Sequence, residues 1–467
     1  MSLHFLPNSF SVDRAHPPGQ KRRLDVTLDT RAACPTCGPH GRIHSRGFLH
    51  GDRWPVRDLP HGVPVELHVR RRRFECAVCK GGGDPLAAKT FTERGPDTHP
   101  RYDITKRLHA HVLRLLAREP FTKITEQTGI PPSTLWQMAI ELSQRLDSGH
   151  RFPTPSVLAM DGIKIRGEEY MVVADGITGR PIGFIPSMRS EPIRQWVMDR
   201  LDVAAVRIFV ADLHRTNTSV ARLQFPNALY VADKWHVVQR FQKVLSQVIN
   251  REIDRLRKAG ETDRGNTIYD FKPGLMAVNK RLRRTRRTAK GGQRRLDFYD
   301  DLVSILKSHR VIRLAFWARH DLIRFYSAPT LAEALPWLDR FRRHTETFAA
   351  LPDYETFEAH LTNNWTLITN YFQTTTRRSD GRWRGVTTNG LEQHNGEIRK
   401  RVRVRNGVQN LDLLRLVSVY GSRSIGEDIL LCAGEGCDQA IGPVFGPPAA
   451  FEVRQAAGVF WRCPGCR

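Results

Sequence analysis

The sequence predicts a mixed α/β protein, with a sheet that leads into a long helical stretch and a small cysteine-bearing module at each end. Three observations carry this. Between residues 157 and 233, short apolar runs close on aspartates or turn residues, the pattern of buried strands. Residues 237 to about 385 instead place leucines and aromatics at helical spacing. All eight cysteines fall in pairs: Cys34-x-x-Cys37, Cys76-x-x-Cys79, Cys432-x4-Cys437 and Cys463-x-x-Cys466.

Charge narrows the partner. Lys and Arg total 73 against 48 Asp and Glu, a net charge of +25 over 467 residues. Such an excess disfavours an enzyme of small neutral metabolites and points to a polyanion, most simply nucleic acid. With 40% hydrophobic residues the chain can bury cores, and its length suggests about three domains. No apolar run reaches the ~18 residues of a membrane helix, and Met1–Phe10 lacks the basic-then-apolar pattern of a secretory signal. The expected location is cytoplasmic, with no membrane partner.

Taken in order, residues 1–23 read as a polar tail. Residues 24–94 read as an N-terminal zinc-binding domain. Cys34, Cys37, Cys76 and Cys79 form two knuckles, and four thiolates make a closed, structural site. The alternation Val65, Leu67, Val69 predicts a strand beside the run Arg70–Arg73, of which Arg71 and Arg72 are candidate phosphate contacts. Residues 95–150 predict a helix-turn-helix. Leu108, Val112 and Leu115 form one apolar stripe, Gly129 breaks a short second helix, and Ser133 is the expected N-cap of a third. That helix carries Leu135, Met138, Ala139 and Leu142 inward and Thr134, Gln137 and Glu141 outward, with Thr134 and Gln137 placed to read bases.

In residues 151–240, Val157–Met160 ends in Asp161, Ile208–Ala211 in Asp212 and Leu229–Ala232 in Asp233, while Tyr170–Ala174 turns at Asp175-Gly176 towards Pro181–Ile185. Two hairpins followed by crossovers make the first strand and the strand after the Glu191–Leu201 helix natural neighbours. Asp161 and Asp212 then face one crevice. A glutamate from a later helix would complete a nest of hard oxygen ligands for Mg²⁺, where two ions activate a nucleophile and a leaving 3′ oxygen. Residues 241–385 form a helical insertion. Within it, Asn279–Arg295 holds nine basic residues and no acid, among them Arg283, Arg284, Arg286 and Arg287, candidates for sequence-independent phosphate contact. Residues 386–420 hold a predicted helix, Leu391–Lys400, running into a basic segment that opens with Arg399 and Lys400. Residues 421–467 form a C-terminal segment in which Cys432, Cys437, Cys463 and Cys466 make a second candidate zinc site.

The chain resembles the DDE transposases of bacterial insertion sequences, specifically the ISL-three group. The resemblance rests on Arg57-Asp58-Leu59-Pro60, on Arg72-Arg73-Phe74 before Cys76, and on Phe91-Thr92-Glu93. It rests also on Pro226-Asn227-Ala228, on Val231 to Val237 and on Thr388-Asn389-Gly390 with Glu392, Asn395 and Ile398, and it spans about residues 30 to 420. It implies an RNase H-like catalytic core, in parts 151–240 and 386–420, interrupted by the helical insertion and cutting and joining DNA at element ends. The implied catalytic and metal-binding triad is Asp161, Asp212 and Glu392, holding two Mg²⁺ (or Mn²⁺) ions, with Asp233 and His236 as supporting residues. Asp233 competes for the second position and Glu397 for the third. The chain departs from the group's pattern at Gly162 and Gln393, neither of which removes a ligand. Implied partners are double-stranded DNA, as terminal inverted repeats and target, and a second copy in a synaptic homodimer. Two structural Zn²⁺ ions are expected. The alternatives are a catalytically inert DNA-binding regulator and an RNase H-like nuclease.

Overall fold

The structure, a computed structural model, describes residues 7–149, 152–277, 297–404 and 410–421, except 8, 18, 29–32, 35, 39–41, 50–52 and 82–89, together with four short strands at 430–431, 440–441, 453–455 and 459–461. The chain divides into two compact units, Met1–Phe152 with Asn395–Arg467, and Pro153–His394. Each is described separately.

The first unit opens with strands β1 (Phe10–Ala15), β2 (Arg22–Leu28), β3 (Ile43–Phe48), β4 (Trp54–His61), β5 (Val63–Arg70) and β6 (Arg72–Cys76), the short helix α1 (Ala77–Gly81), and β7 (Thr90–Thr92). They form a four-stranded sheet ordered β1-β2-β5-β4 and a three-stranded sheet ordered β3-β6-β7. Val65, Leu67 and Val69 alternate inward as expected and pack with Phe10, Leu24, Val26 and Val56. Residues 10–15 are therefore not a tail. Phe10 is in the core and β1 pairs with β2, but in a six-residue segment holding Asp13 and Arg14 this inward side chain leaves too short a pattern to read.

Asp58 is fully buried and ties this sheet to the next helix, α2 (Lys106–Leu116). It accepts the Thr105 hydroxyl at 2.6 Å and Arg107 Nε at 2.7 Å, while Thr105 also caps α2 by accepting the Leu108 N–H. Helix α3 (Phe121–Thr128) ends at Gly129, whose φ of 71° is the left-handed cap that glycine favours. Helix α4 (Pro132–Gly149) starts one residue before the expected cap: Pro132 takes the first helical position, and the Pro131 carbonyl accepts the Leu135 N–H at 3.1 Å. Its inward stripe is as expected, whereas in α2 the third buried position is Leu116 rather than Leu115. The segment Leu411–Arg415 packs on α4, with the Ser143 hydroxyl donating to the Asp412 carbonyl at 2.5 Å and Arg415 pairing with Asp147 at 3.4 Å. Residues from 395 onward thus group with the N-terminal unit, and the expected second core segment of 386–420 is divided at His394.

The second unit is built on β8 (Val157–Ile165), β9 (Glu168–Asp175), β10 (Pro181–Ile185), α5 (Ser190–Arg200), β11 (Ile208–Ala211), α6 (Arg215–Gln224) and β12 (Leu229–Ala232). Their sheet runs β10-β9-β8-β11-β12, antiparallel across the first three strands and parallel from β8 to β12. Asp161 does not end its strand: β8 continues to Ile165 against β9, and only the parallel ladder with β11 stops at Met160. Helices α7 (Lys234–Lys258), α8 (Thr262–Met276), α9 (Asp297–Ser308), α10 (Arg310–Phe325), α11 (Leu331–Thr345), α12 (Pro352–Asn363) and α13 (Trp365–Thr369) follow. Val237, Val238, Phe241, Val244, Leu245 and Val248 recur along one face of α7, and Phe241 meets Phe341 and Phe357 at 5.0 and 5.3 Å. Val210, Val231 and Ala232 of the sheet share this core, so the inserted helices and the sheet bury one continuous apolar interior. A small hairpin, β13 (Thr376–Arg377) with β14 (Trp383–Arg384), leads to α14 (Asn389–Val404), which begins in this unit.

Candidate active site and zinc centre

Cys34 and Cys37 lie in the loop before β3, Cys76 ends β6, and Cys79 sits in α1. Their sulfurs stand 3.7 Å (Cys34 to Cys79), 3.9 Å (Cys37 to Cys76) and 3.1 Å (Cys37 to Cys79) apart. A tetrahedral zinc with bonds of about 2.3 Å sets sulfur–sulfur edges of about 3.8 Å, whereas a disulfide needs about 2.05 Å. The Gly38 N–H closes the first knuckle on the Cys34 carbonyl at 2.8 Å, and the Cys37 N–H points at Cys34 Sγ at 3.4 Å. Burial raises the Cys34 thiol, but the N–H groups of Cys37 and Thr36 outweigh it and lower its pKa to about 7. Cys79 is pushed up to about 12 by its contact with Cys37 and by burial. Four thiols this close cannot all ionise without a cation between them, and this soft donor set suits Zn²⁺.

In the second unit, the ladder pairs Met160 with Ala211 and Ala211 with Ala232. Asp161, Asp212 and Asp233 each follow one of these residues, so three aspartates stand side by side where the parallel strands stop pairing. Asp212 Oδ1 accepts the His214 N–H at 3.2 Å and Asn217 Nδ2 at 2.5 Å; Oδ2 makes no hydrogen bond among the described residues. Asp233 precedes α7, yet its carboxylate does not cap that helix. Oδ2 accepts the buried Thr388 hydroxyl at 2.7 Å, and Oδ1 is buried without a hydrogen-bond partner. His236, in the first turn of α7, holds Nε2 between two carboxylates, 3.9 Å from Asp161 Oδ1 and 3.8 Å from Asp233 Oδ2, beyond hydrogen-bond reach of either.

Glu392 arrives in the first turn of α14, its N–H bonded to the Thr388 carbonyl at 2.8 Å. Ligand atoms of Asp233, His236 and Glu392 all lie within 4.8 Å of one another. The structure therefore gathers Asp161, Asp233, His236 and Glu392, with Asp212 following the strand that lies between those of Asp161 and Asp233. Asp212 and His236 also line a cavity of about 220 Å³ with Gln239, Arg240, Lys243 and His360. Glu397 pairs with Lys400 at 2.6 Å. Thr388 is the residue whose role sequence reasoning missed: its place before Asn389-Gly390 was visible, but the partner 155 residues away was not.

The remaining candidates divide by what already holds them. Arg72 gives its guanidinium to Glu93, with bonds of 2.7 and 2.5 Å, so it is not open to phosphate. Its neighbour Arg71 lies 3.1 Å over the Trp54 ring, and burial lowers its pKa to about 10. Arg70 and Arg73 are the exposed members of that run. Gln137 is exposed and Thr134 half-buried on α4, whereas Glu141 is engaged by Tyr102 and Arg101. Arg399 and Lys400 are exposed on α14. Arg283, Arg284, Arg286, Arg287, Cys432, Cys437, Cys463 and Cys466 lie outside the described residues. Among the described residues, no helix is long and apolar enough to cross a membrane.

A family model described as Transposase, that of the DDE ISL3 type, matches residues 158–417. No curated protein matches the chain. The matched region takes in all three register-aligned aspartates and Glu392, and it covers more than half of the sequence: the chain belongs to the ISL3 family of DDE transposases.

Proposed function

We propose that this transposase binds the terminal inverted repeats of an insertion sequence and carries out Mg²⁺-dependent DNA cleavage and strand transfer on an RNase H-like core. The observation that carries this reading is the register of Asp161, Asp212 and Asp233 beside Glu392. Strand order 10-9-8-11-12, with two antiparallel hairpins and then two parallel crossovers, supports the core assignment. The donor set fits a divalent cation: two buried atoms, Asp233 Oδ1 and His236 Nε2, have no hydrogen-bond partner, and the carboxylates are hard ligands.

Asp161, Asp212 and Glu392 are assigned as the ligands because an all-oxygen set suits Mg²⁺, whereas imidazole favours zinc and other later metals. Bound there, Mg²⁺ supplies an electrophile that activates water or a 3′-hydroxyl and stabilises the leaving oxygen. Asp233 anchors Thr388 and with it the first turn of α14, which sets where Glu392 points. His236 spaces the carboxylates of Asp161 and Asp233. A second reading, in which Asp233, His236 and Glu392 hold the metal, is favoured by their 4.8 Å cluster. Helices α3 and α4 are assigned as a helix-turn-helix in which Thr134 and Gln137 read bases, the cysteine site is structural, and two copies synapse the element ends.

The test is cleavage of a labelled DNA end from the flanks of the gene, in Mg²⁺ or Mn²⁺. Asp161→Ala, Asp212→Ala and Glu392→Ala are expected to lose at least about a hundredfold in rate and to keep DNA binding. Asp233→Ala is expected to be impaired but active. Activity in Asp212→Ala with none in Asp233→Ala transfers the second ligand to Asp233. A wild-type protein that binds ends and never cuts makes the chain a DNA-binding regulator instead.

A further inference from the structure

We infer that the cavity beside Asp212 is a binding site for the DNA backbone next to the reacting phosphate, with Arg240 and Lys243 as its phosphate contacts. The inference rests on the proposed DNA-cleaving function and deepens it. His236, Arg240 and Lys243 follow one another at helical spacing along α7, so they share a face of that helix. The cavity they line holds about 220 Å³ and a single acid, Asp212. Arg240 and Lys243 are exposed and make no hydrogen bond or ion pair among the described residues. Lys234, in the first turn of the same helix, is by contrast committed to the Tyr371 hydroxyl at 3.2 Å.

Two like charges three residues apart repel, and among the described residues Asp212 is the one acid that lines the cavity with them. Burial and the Arg240 charge lower the pKa of His360, which also lines the cavity, to about 4, so at neutral pH it adds a polar but uncharged surface. The cavity is thus cationic along one wall and opens on the carboxylate assigned to the metal. A phosphodiester satisfies both features: its charge is neutralised by Arg240 and Lys243, and its chain continues towards Asp212. Two cationic side chains about one helical turn apart can contact one or two phosphates of a strand.

The experiment uses the full chain and a duplex of the gene-flanking end sequence, in Ca²⁺ to hold off cleavage. Affinity is measured across a range of salt for wild type and for Arg240→Gln/Lys243→Gln. The expected result is a salt slope flatter by roughly 1.8 in the double variant, about 0.9 for each lost contact, with an unchanged melting temperature because both side chains are exposed. A neutral methylphosphonate placed in turn at each phosphate flanking the cut is expected to weaken wild type at one or two positions and to leave the variant unaffected there. An unchanged salt slope, or equal sensitivity of both proteins to every methylphosphonate, overturns the site. If the slope and the methylphosphonate pattern come out as expected but wild type never cuts in Mg²⁺, the cleavage reading falls and the backbone site stands. Failure of wild type to bind the duplex overturns both.

Discussion

Single side chains in this protein do two separable kinds of work. Arg72 sits in a basic run that looked suited to phosphate contact and Asp58 in a motif shared with the family, yet each is an internal tie: Asp58 to Thr105 and Arg107, Arg72 to Glu93. A buried charge with its partners in place is neutral overall and holds elements in register, which is a reason for such residues that has nothing to do with ligand binding. His109 is a half-buried titratable group. Its ring lies tilted against that of His99, with centroids 4.2 Å apart, and burial, then the charges of His99 and Arg145, lowers its pKa to about 3. A histidine whose folded pKa lies below its unfolded value binds fewer protons when folded, so stability is complete above the unfolded pKa and is lost as pH falls towards the folded one. Between pH 7.5 and pH 5, His109 is expected to cost the first unit about 2 kcal/mol. Urea unfolding of His109→Gln checks this: the stability difference between the two pH values should shrink by about that amount, and an undiminished difference excludes His109 as the source.

At the scale of elements, the glutamate-bearing helix is placed by a backbone contact as well as by Thr388. Gly179, in the turn between β9 and β10, has a φ of 71°, and a Cβ built there would stand 2.4 Å from the carbonyl carbon of Gly390 in the first turn of α14. Only glycine tolerates both the left-handed backbone and the approach. Gly179→Ala is expected to destabilise the second unit by about 1–3 kcal/mol and to push the first turn of α14 outward. Cleavage should then fall by more than tenfold while end binding changes little, since catalysis is sensitive to ångström misplacement and phosphate contact is not. Comparing rate and affinity in the same variant checks it, and a parallel loss of both would mean general unfolding instead. Gly162, next to Asp161, is a milder case, because its φ is ordinary and the neighbouring atom ends a flexible side chain. The Met188 methyl stands 2.9 Å from where its Cβ would be, so the methionine occupies the space that a side chain at that position would need.

For the whole molecule, the zinc count and the charge are the measurable quantities. The two four-cysteine sets predict two zinc ions per chain by elemental analysis; a value of one retains only the N-terminal site, and zero removes both. Cys76→Ser is expected to release the N-terminal ion and unfold the β3-β6-β7 sheet, because metal binding there is worth several kcal/mol of folding free energy. Loss of near-ultraviolet circular dichroism and of one zinc would be seen together. The net charge of +25 belongs to the same scale. It favours approach to any DNA, while discrimination between sequences has to come from the few side chains that reach bases.

The sequence by itself determined the helix or strand type of the strongly patterned segments, the adjacency of β8 and β11, the N-terminal four-cysteine grouping and the family, because these depend on local periodicity, short spacing and motifs that survive without three-dimensional context. It also placed Asp161, Asp212 and Asp233 directly after their apolar runs, although β8 continues past Asp161 to Ile165. The tertiary structure alone decided how those acids are used. Asp233 is held by Thr388 from the far side of the helical insertion, His236 falls between two carboxylates, and Arg72 is claimed by Glu93. The structure also made β1 a core strand and sent the chain beyond His394 to the first unit. Each of these depends on contacts between residues far apart in the chain, whose free energy comes from burial and pairing that no local window contains.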